Sequence, residues 1–242
     1  MKLQKLLSYV RRAVDDYNMI EEGDKIAVGV SGGKDSICLL IALKTLQRFY
    51  PKHFELEAIT VSLGLPGAEY DDIRELCEKI GVNYTVVETD IGQIIFYERK
   101  EKNPCSLCAK MRKGALNDAA EKLGCNKVAL GHNKDDVIET FFMSLFYEGR
   151  INTFAPVSYL DRKKLYSIRP LMYVPEYEAK SFVTKSGISI VKNPCLADGN
   201  TKRQETKEFI ASISKNYDNL PEKVFGAIQR SYLKGWEKPK KD

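Results

Sequence analysis

Several features that define other classes of protein are absent from this chain of 242 residues. No apolar run approaches the roughly 18 residues that a membrane-spanning helix needs. The N-terminus, MKLQKLLSYVRRAVDDYN, carries charge throughout and lacks a small-residue cleavage site, which excludes a signal peptide and predicts an N-terminal helix within residues 1–22. Internal repeats and low-complexity linkers are also absent. We therefore expect a cytoplasmic protein without membrane contact.

The chain also has only a small excess of positive charge and few histidines. Lys and Arg total 38 against 33 for Asp and Glu, a net charge of +5, and this mild excess fits many proteins that never bind nucleic acid. The basic residues do form local clusters (MRK, RKK, TKR and KGWEKPKKD), each as consistent with a solvated face as with a nucleic-acid contact. The two histidines, His53 and His132, offer few ligands for a zinc site.

Strand-like and helix-like segments alternate along the chain, which has enough hydrophobic residues (43%) to build a sizeable core. Short apolar runs predict strands, and helical spacing predicts the segments between them. The strand candidates are DKIAVGV, FELEAITVSL, NYTVVETD, NKVALGHN, YSIRPLMYV and ISIVKNPC. This alternation predicts an α/β fold with a parallel, doubly wound sheet and helices on both faces. We assign it to residues 23–200 and expect a small C-terminal helical extension over residues 201–242.

The loop SGGKDS joins the first predicted strand to the first helix, at the sheet edge where such folds bind ligands. Its glycines let the backbone turn sharply and present N–H groups to an anion, and the following helix start adds unpaired donors. Asp35 can hold a magnesium ion between phosphates. Since Asp35 separates Lys34 from Ser36, this is not a Walker loop, and a plain glycine turn with a helix cap is the alternative. The candidate phosphate-binding residues are Ser31, Gly32, Gly33, Lys34, Asp35 and Ser36.

SGGKDS resembles the signature of the PP-loop ATP pyrophosphatases, which cleave ATP between its α and β phosphates and adenylate a carbonyl or carboxylate oxygen. The resemblance implies an adenine nucleotide alpha hydrolase-like fold in which this loop binds pyrophosphate. It also implies that the end of the second strand, at Thr60 and Val61, contacts adenine through backbone groups. Gly131 and His132, in GHNKDD, lie at the same edge and are further candidates for ATP binding, although His132 can equally order its own loop.

Three of the six cysteines need a chemical explanation. Cys105, Cys108 and Cys195 lie beside prolines in two NPC segments, with the CxxC pair expected in a loop before a helix that starts at Ala109. The pair can be a zinc half-site or a redox pair, but a closed zinc site takes four ligands and a fourth is hard to find here. Three cysteines suit an iron–sulfur cluster with one open iron, if both segments meet at the edge of the sheet. The remaining cysteines are expected to be buried hydrophobes: Cys38, Cys77 and Cys125.

Three longer motifs extend the resemblance: PCSLCAKMRKGALNDAA, LGHNKDDVIETFFMSLFYEG and IRPLMYV. Together they are similar to the tRNA 2-thiocytidine synthetase (TtcA) family over most of residues 25–200. The resemblance implies that Cys105, Cys108 and Cys195 bind a 4Fe-4S cluster with one open iron. The related tRNA 2-thiouridine enzymes share the pattern but carry zinc-binding segments at their ends, which this chain lacks, so the cytidine branch is favoured. A further cysteine that follows the third ligand in that branch is missing here.

The resemblance implies an ATP-dependent tRNA sulfurtransferase. With ATP and Mg²⁺, the enzyme would adenylate the C2 oxygen of cytidine 32, two positions before the anticodon, and sulfide delivered through the cluster would then displace AMP. The cytidine would be splayed out of a single-stranded loop, and the basic clusters and C-terminal helices would contact phosphates. The implied partners are tRNA and a sulfur donor, either a cysteine desulfurase or free sulfide. A homodimer is also expected, because one small domain covers little of a tRNA.

The candidate catalytic residues are Asp136, Arg112 and Asp35. Asp136 is predicted to act as a general acid/base or a magnesium ligand, although Asp at a helix start is also a favoured cap. Arg112 lies one helical turn after the CxxC pair and can face phosphates or tRNA. Three alternatives stay open: a persulfide on Cys105 or Cys195 without a cluster, a PP-loop ligase with structural zinc, and a non-catalytic, redox-sensing nucleotide binder.

Overall fold

The computed structural model describes residues 1–99, 104–188 and 202–238. Within these ranges the helices are α1 (Leu3–Asp16), α2 (Lys34–Leu46), α3 (Asp71–Ile80), α4 (Pro104–Lys122), α5 (Lys134–Glu148), α6 (Glu176–Ser186), α7 (Lys202–Ser214) and α8 (Leu220–Arg230). The strands are β1 (Asp24–Gly29), β2 (Phe54–Val61), β3 (Asn83–Val87), β4 (Lys127–Ala129), β5 (Val157–Leu160) and β6 (Leu165–Ile168). A short π-helical segment, Gln93–Glu98, lies between β3 and α4. Among the described helices, none combines the length and the hydrophobicity that spanning a bilayer requires.

The strands form one sheet in the order β3-β2-β1-β4-β6-β5. Each neighbouring pair is parallel except β5 and β6, which form an antiparallel hairpin. From β1 the chain adds β2 and β3 on one side and then returns to place β4 on the other, so a topological switch point lies between β1 and β4. The parallel α/β sheet is as predicted. The sequence does not predict β5, and the predicted strand ISIVKNPC lies outside the described residues.

Apolar side chains are buried on both faces of the sheet, because successive residues of a strand point to opposite sides and the central residues of β1, Ile26, Ala27 and Val28, are all apolar and buried. Ile26 and Val28 belong to the larger core cluster, which also includes buried residues of α1, α2 and α6. Ala27 belongs to a second cluster, with Leu116 and Ala120 of α4. Helices therefore pack on both faces, as predicted.

Both ends of the described chain pack into the larger core. α1 buries Leu6 and Val10 completely. Trp236, which follows α8, is 1% exposed and packs edge-on against Tyr17 with 6.2 Å between the ring centroids. The N-terminal helix and the segment after α8 are thus built on the same core as the sheet.

Helix α4 begins at Pro104, five residues before the predicted start at Ala109. Cys105 and Cys108 therefore lie in the first turns of a helix, and the prediction that they lie in a loop is wrong. The reason is that proline suits the first turn of a helix, where its fixed φ is already helical and no N–H donor is needed. Of the helix predicted over residues 91–102, the described part is mainly the π-helical segment Gln93–Glu98.

Candidate active site

A cavity of about 440 Å³ opens at the carboxyl ends of β1, β2 and β4, over the switch point. Its walls come from the glycine loop after β1, the end of β2, the loop after β4 and one face of α4. These separate stretches of sequence meet because parallel strands end at one edge of the sheet. The predicted site residues that line the cavity are Ser31, Asp35, Ser36, Val61, Arg112, Gly131 and His132.

The glycine loop is held in shape by two serines. Ser36 Oγ donates to the carbonyl of Gly33 at 2.9 Å and accepts from the N–H of Ser31 at 3.1 Å. Gly32 has a φ of +80°, in the left-handed region that favours glycine, so the turn needs a glycine at this position. α2 begins at Lys34 without a side-chain cap from the described residues, so its first N–H groups can bind an anion.

Lys34 does not line the cavity; its ammonium forms ion pairs with Asp35 Oδ2 at 2.8 Å and with Glu176 Oε1 at 2.9 Å. Burial opposes the charge, but the two carboxylates outweigh burial and raise the pKa of Lys34 to about 12. The other oxygen of Asp35, Oδ1, is buried and has no hydrogen-bond partner in the described part of the chain. Since Asp35 lines the cavity, this oxygen is available as a ligand for a cation.

The end of β2 contributes apolar side chains and backbone to the cavity. Ile59 and Val61 line it, whereas the buried Thr60 turns its hydroxyl into the sheet. Thr60 Oγ1 donates to the carbonyl of Val30 at 2.6 Å and accepts from Tyr84 Oη at 2.9 Å. The side chain of Thr60 thus joins β2 to the start of the glycine loop, which leaves only its backbone for a nucleotide.

The loop after β4 packs closely against the glycine loop at Gly131. A Cβ atom at this position would lie 3.1 Å from the carbonyl carbon of Asp35 and 3.1 Å from the amide nitrogen of Ser36. Such contacts are shorter than ordinary van der Waals separations, so a side chain here would displace the backbone of the glycine loop. Glycine at this position therefore determines how the two loops fit together.

The Gly131→Ala variant is expected to bind ATP about tenfold or more weakly, because small displacements of a binding loop have large effects. The measurement is calorimetric titration with a non-hydrolysable ATP analogue, together with thermal unfolding. Gly114→Ala is the control: Gly114 lies inside α4, and its added Cβ would meet nothing within 4 Å. That variant should bind ATP normally and gain roughly 0.5–1 kcal/mol of stability. Unchanged ATP affinity in Gly131→Ala would contradict the prediction.

His132 faces the cavity as a neutral imidazole. Its ring packs at a tilt against Phe154 with centroids 4.8 Å apart, and the guanidinium of Arg169 lies 4.9 Å from the centroid of the same phenylalanine. Burial, followed by the positive charge of Arg169, lowers the pKa of His132 to about 3. Its Nδ1 atom is buried and lacks a hydrogen-bond partner among the residues that the structure describes. His132 can therefore hydrogen-bond a ligand but adds no positive charge toward phosphate.

Asp136 lies beside the cavity, in a smaller cleft of about 190 Å³ that it shares with Asp35. Its Oδ2 atom accepts from the N–H of Asn133 at 2.9 Å in a reciprocal helix cap, and its Oδ1 atom pairs with Arg203 at 2.9 Å. Burial raises the pKa of Asp136, against the lowering effects of Asn133 and Arg203. The helix-cap role is thus present in the structure, and a catalytic role for Asp136 stays a prediction.

Cys105 and Cys108 lie on the face of α4 that borders the cavity. Residues three, four and seven apart share a helix face, so both thiols align with Arg112, which lines the cavity. Cys105 is exposed, and Cys108 is half-buried against an apolar cluster that includes Leu63. Cys195 lies outside the described residues, within which no group of three or more side chains is arranged to hold a metal ion.

The other three cysteines are buried, as predicted. Burial raises the pKa of Cys38 to about 12 and the pKa values of Cys77 and Cys125 to about 11. A thiol with such a pKa stays protonated at neutral pH and is a poor nucleophile and metal ligand. The chemistry of the site therefore involves none of these three.

Three charged residues beside the glycine loop are missing from the sequence-based prediction. Glu176 is the first residue of α6 and pairs with Lys34; Arg203 and Lys207, both on α7, pair with Asp136 and Glu176 respectively. The one sequence signal is the basic cluster TKR, which contains Arg203 but predicts a solvated face or a nucleic-acid contact. The sequence does not reveal the ion pairs of Glu176, Arg203 and Lys207, because these pairs join segments that are distant in sequence.

A parallel α/β sheet with a glycine loop at its switch point is the architecture of a nucleotide-binding domain. The family described as PP-loop domain matches residues 4–212, and the chain belongs to this family. It is 40% identical to the tRNA-cytidine(32) 2-sulfurtransferase of Teredinibacter turnerae, over 95% of this chain and 77% of the relative. It is 37% identical to the protein of the same name from Dichelobacter nodosus, over 94% of this chain and 86% of the relative. Within the PP-loop family, the chain therefore belongs with the tRNA-cytidine(32) 2-sulfurtransferases, as its motifs predict.

Solved structures share the fold of this chain. The U34-tRNA thiolase NcsA from Methanococcus maripaludis, solved with its [4Fe-4S] cluster, has a TM-score of 0.77 and 26% identity, covering 94% of this chain and 77% of that one. The NH3-dependent NAD synthetase from Campylobacter jejuni has a TM-score of 0.51 and 16% identity, covering 99% of this chain and 98% of that one, and shows a shared fold only. The predicted fold class is confirmed.

Proposed function

We propose that the protein is an ATP-dependent tRNA sulfurtransferase that replaces the C2 oxygen of cytidine 32 with sulfur. One observation carries the proposal: the face of α4 that bears Cys105 and Cys108 continues into the cavity formed by the glycine loop. Neither cysteine lines the cavity itself, but this shared helix face would bring the sulfur donors close to a bound nucleotide. The relatives are named for this activity, and the Methanococcus maripaludis thiolase contains a [4Fe-4S] cluster, which supports the proposal.

The glycine loop would bind the phosphates of ATP. The N–H groups at the start of α2 and the hydroxyls of Ser31 and Ser36 are donors suited to anions. Asp35 fits a magnesium ion, because its buried Oδ1 has no partner within the described ranges and its negative charge would repel phosphate unless a cation lay between them. Lys34 adds a positive charge at the loop.

The cysteines Cys105, Cys108 and Cys195 would hold a 4Fe-4S cluster. The first two fit this role, since thiols three residues apart on one helix face, at a partly open surface, are the donors that such clusters use. Cys195 completes the set in this proposal. When bound, a cluster with three cysteine ligands leaves one iron open and can supply sulfide as a metal-activated nucleophile.

Two steps convert cytidine to 2-thiocytidine at this site. The C2 oxygen attacks the α-phosphorus of ATP, and pyrophosphate leaves toward the glycine loop. Sulfide then attacks C2, the C2–O bond breaks, and AMP leaves with the oxygen. Arg112, on the cavity wall, would stabilise charge on the α-phosphate, and Asp136 would take part in proton transfer. A cytidine in a single-stranded loop can leave its stack to reach the cavity.

Anaerobic incubation of the iron-reconstituted protein with unmodified tRNA, ATP, Mg²⁺ and sulfide is expected to yield 2-thiocytidine, AMP and pyrophosphate. Mass analysis of the digested tRNA identifies the nucleoside, and omission of ATP should abolish its formation. Recovery of 2-thiouridine would instead support the second candidate, a uridine thiolase, which the similarity to the U34 enzyme keeps open. Failure to release pyrophosphate with any tRNA, despite bound iron, would contradict the proposal and favour a non-catalytic nucleotide binder.

A further inference from the structure

Helix α7 directs an arginine into the acidic side of the site. Arg203 Nη1 donates to Asp136 Oδ1 at 2.9 Å and to Glu139 Oε2 at 3.0 Å, and Nη2 donates to Thr140 Oγ1 at 3.3 Å. All three partners lie on α5, so one guanidinium contacts successive turns of that helix. This inward orientation differs from the predicted contact of the C-terminal helices with tRNA phosphates.

A second cation of α7 connects this helix to the glycine loop. Lys207 pairs with Glu176, and the other oxygen of Glu176 holds Lys34 of the loop at 2.9 Å. The backbone N–H of Glu176 donates to Asp135 Oδ2 at 2.6 Å, which fixes the start of α6. Charges of alternating sign therefore run from α7 through α6 to the nucleotide cavity, so α7 forms part of the site and not merely an extension of it.

The charge of the smaller cleft explains why an arginine is needed. Five carboxylates line it: Asp35, Asp135, Asp136, Glu139 and Glu176. They repel one another, and they would repel ATP, unless cations lie among them. Burial raises the pKa of Glu139 to about 7, although the charge of Arg203 opposes this rise. Arg203 Nη1 lies between the carboxylates of Asp136 and Glu139 while Nη2 reaches the hydroxyl of Thr140, so one rigid, planar group fixes three partners on α5. The compact ammonium of lysine can pair with two carboxylates but cannot reproduce this planar, two-nitrogen arrangement.

We propose that Arg203 is a positioning residue for thiolation: it binds Asp136 Oδ1 while Asn133 binds Oδ2, and so fixes that carboxylate in one orientation beside the glycine loop. In this role Arg203 itself contacts neither ATP nor cytidine. The inference rests on the proposed function and on the part that Asp136 has in proton transfer. Direct contact of Arg203 with a tRNA phosphate is the competing role.

The Arg203→Gln variant is expected to thiolate tRNA about tenfold or more slowly in single-turnover reactions, because it loses two charge-assisted hydrogen bonds. The KM values for ATP and tRNA should change by less than about threefold. Arg203→Lys should retain partial activity, since lysine keeps the positive charge but lacks the planar guanidinium group. Lys202→Gln is the matched control on the same helix and should react normally, because the Lys202 ammonium lies over the ring of Tyr147, 4.5 Å from its centroid, and does not line the cleft.

A double-mutant cycle separates positioning from a structural contribution. If Arg203 acts through Asp136, the Arg203→Gln/Asp136→Asn variant is expected to be no slower than Asp136→Asn alone. Three results would overturn the inference. The rate losses of the two single variants could multiply in the double variant, or Arg203→Gln could react at the normal rate. Arg203→Gln could also show a raised KM for tRNA at an unchanged maximal rate. Thermal unfolding reports whether each variant folds, and Arg203→Lys replaces Arg203→Gln in the cycle if the latter does not. Absence of 2-thiocytidine with the unaltered chain would contradict the proposed function instead.

Discussion

Thiolation is expected to fall at least about 100-fold when any one of Cys105, Cys108 and Cys195 is replaced by alanine. Two remaining thiolates leave too few ligands for a cluster that takes three cysteines, so bound iron and brown colour should be lost together with the activity. Replacement of Cys105 or Cys108 should not unfold the protein, since neither is buried in the core. The measurements are iron per chain, visible absorption and 2-thiocytidine yield under anaerobic conditions.

Cys125→Ala is the control, because Cys125 is buried in the core cluster on the α4 side of the sheet. This variant should keep its iron and activity and lose about 1 kcal/mol of stability. If the iron-free protein thiolates tRNA, and replacement of Cys105 or Cys195 abolishes this activity, the proposed cluster is contradicted and a persulfide on one of these cysteines is indicated. Bound zinc, with ATP-dependent product formation intact in Cys195→Ala, would indicate a ligase with a structural metal.

The sheet could be predicted because each inner strand carries its own signal. β1 is buried on both faces and therefore reads as an apolar run, and the parallel strands are separated by segments with helical spacing. The β5–β6 hairpin could not be predicted. Its turn, residues 161–164, has the sequence DRKK, without the glycine or asparagine that usually marks a hairpin, and Lys164 adopts a φ of +50°. A four-residue edge strand depends on its neighbour more than on its own sequence.

The candidate site, like the sheet, has one part that the sequence predicts and one part that it does not. Residues of SGGKDS and GHNKDD meet because both motifs follow parallel strands that flank the switch point. The pairing of Lys34 with Glu176, and of Asp136 with Arg203, could not be inferred, because these contacts join segments far apart in sequence and leave no local pattern. The start of α4 at Pro104 could not be predicted for a different reason. Proline suits both a loop and the first turn of a helix, so the sequence alone does not decide between them.

The Asp35→Asn variant is expected to thiolate tRNA at least about 100-fold more slowly, because a metal ion at a reacting phosphate contributes several kcal/mol to the transition state. Asparagine keeps the size of the side chain but removes the negative charge that attracts Mg²⁺. The atom concerned is Oδ1, since Oδ2 already pairs with Lys34 at 2.8 Å. The Mg²⁺ concentration that gives half the maximal rate should therefore rise, which a Mg²⁺ titration of pyrophosphate release at saturating ATP would measure.

Asp72→Asn is the matched control for this experiment. Asp72 is the second residue of α3, as Asp35 is the second residue of α2, so each replacement removes a favourable interaction of about 0.3–1 kcal/mol with the start of a helix. Asp72 is exposed and does not line the cavity, so its replacement should change neither the rate nor the Mg²⁺ dependence. A slow Asp35→Asn variant with an unchanged Mg²⁺ requirement would contradict the assignment of Asp35 as a magnesium ligand, because the loss of a ligand must weaken metal binding. In that case the ion pair with Lys34 would be the interaction that the reaction depends on.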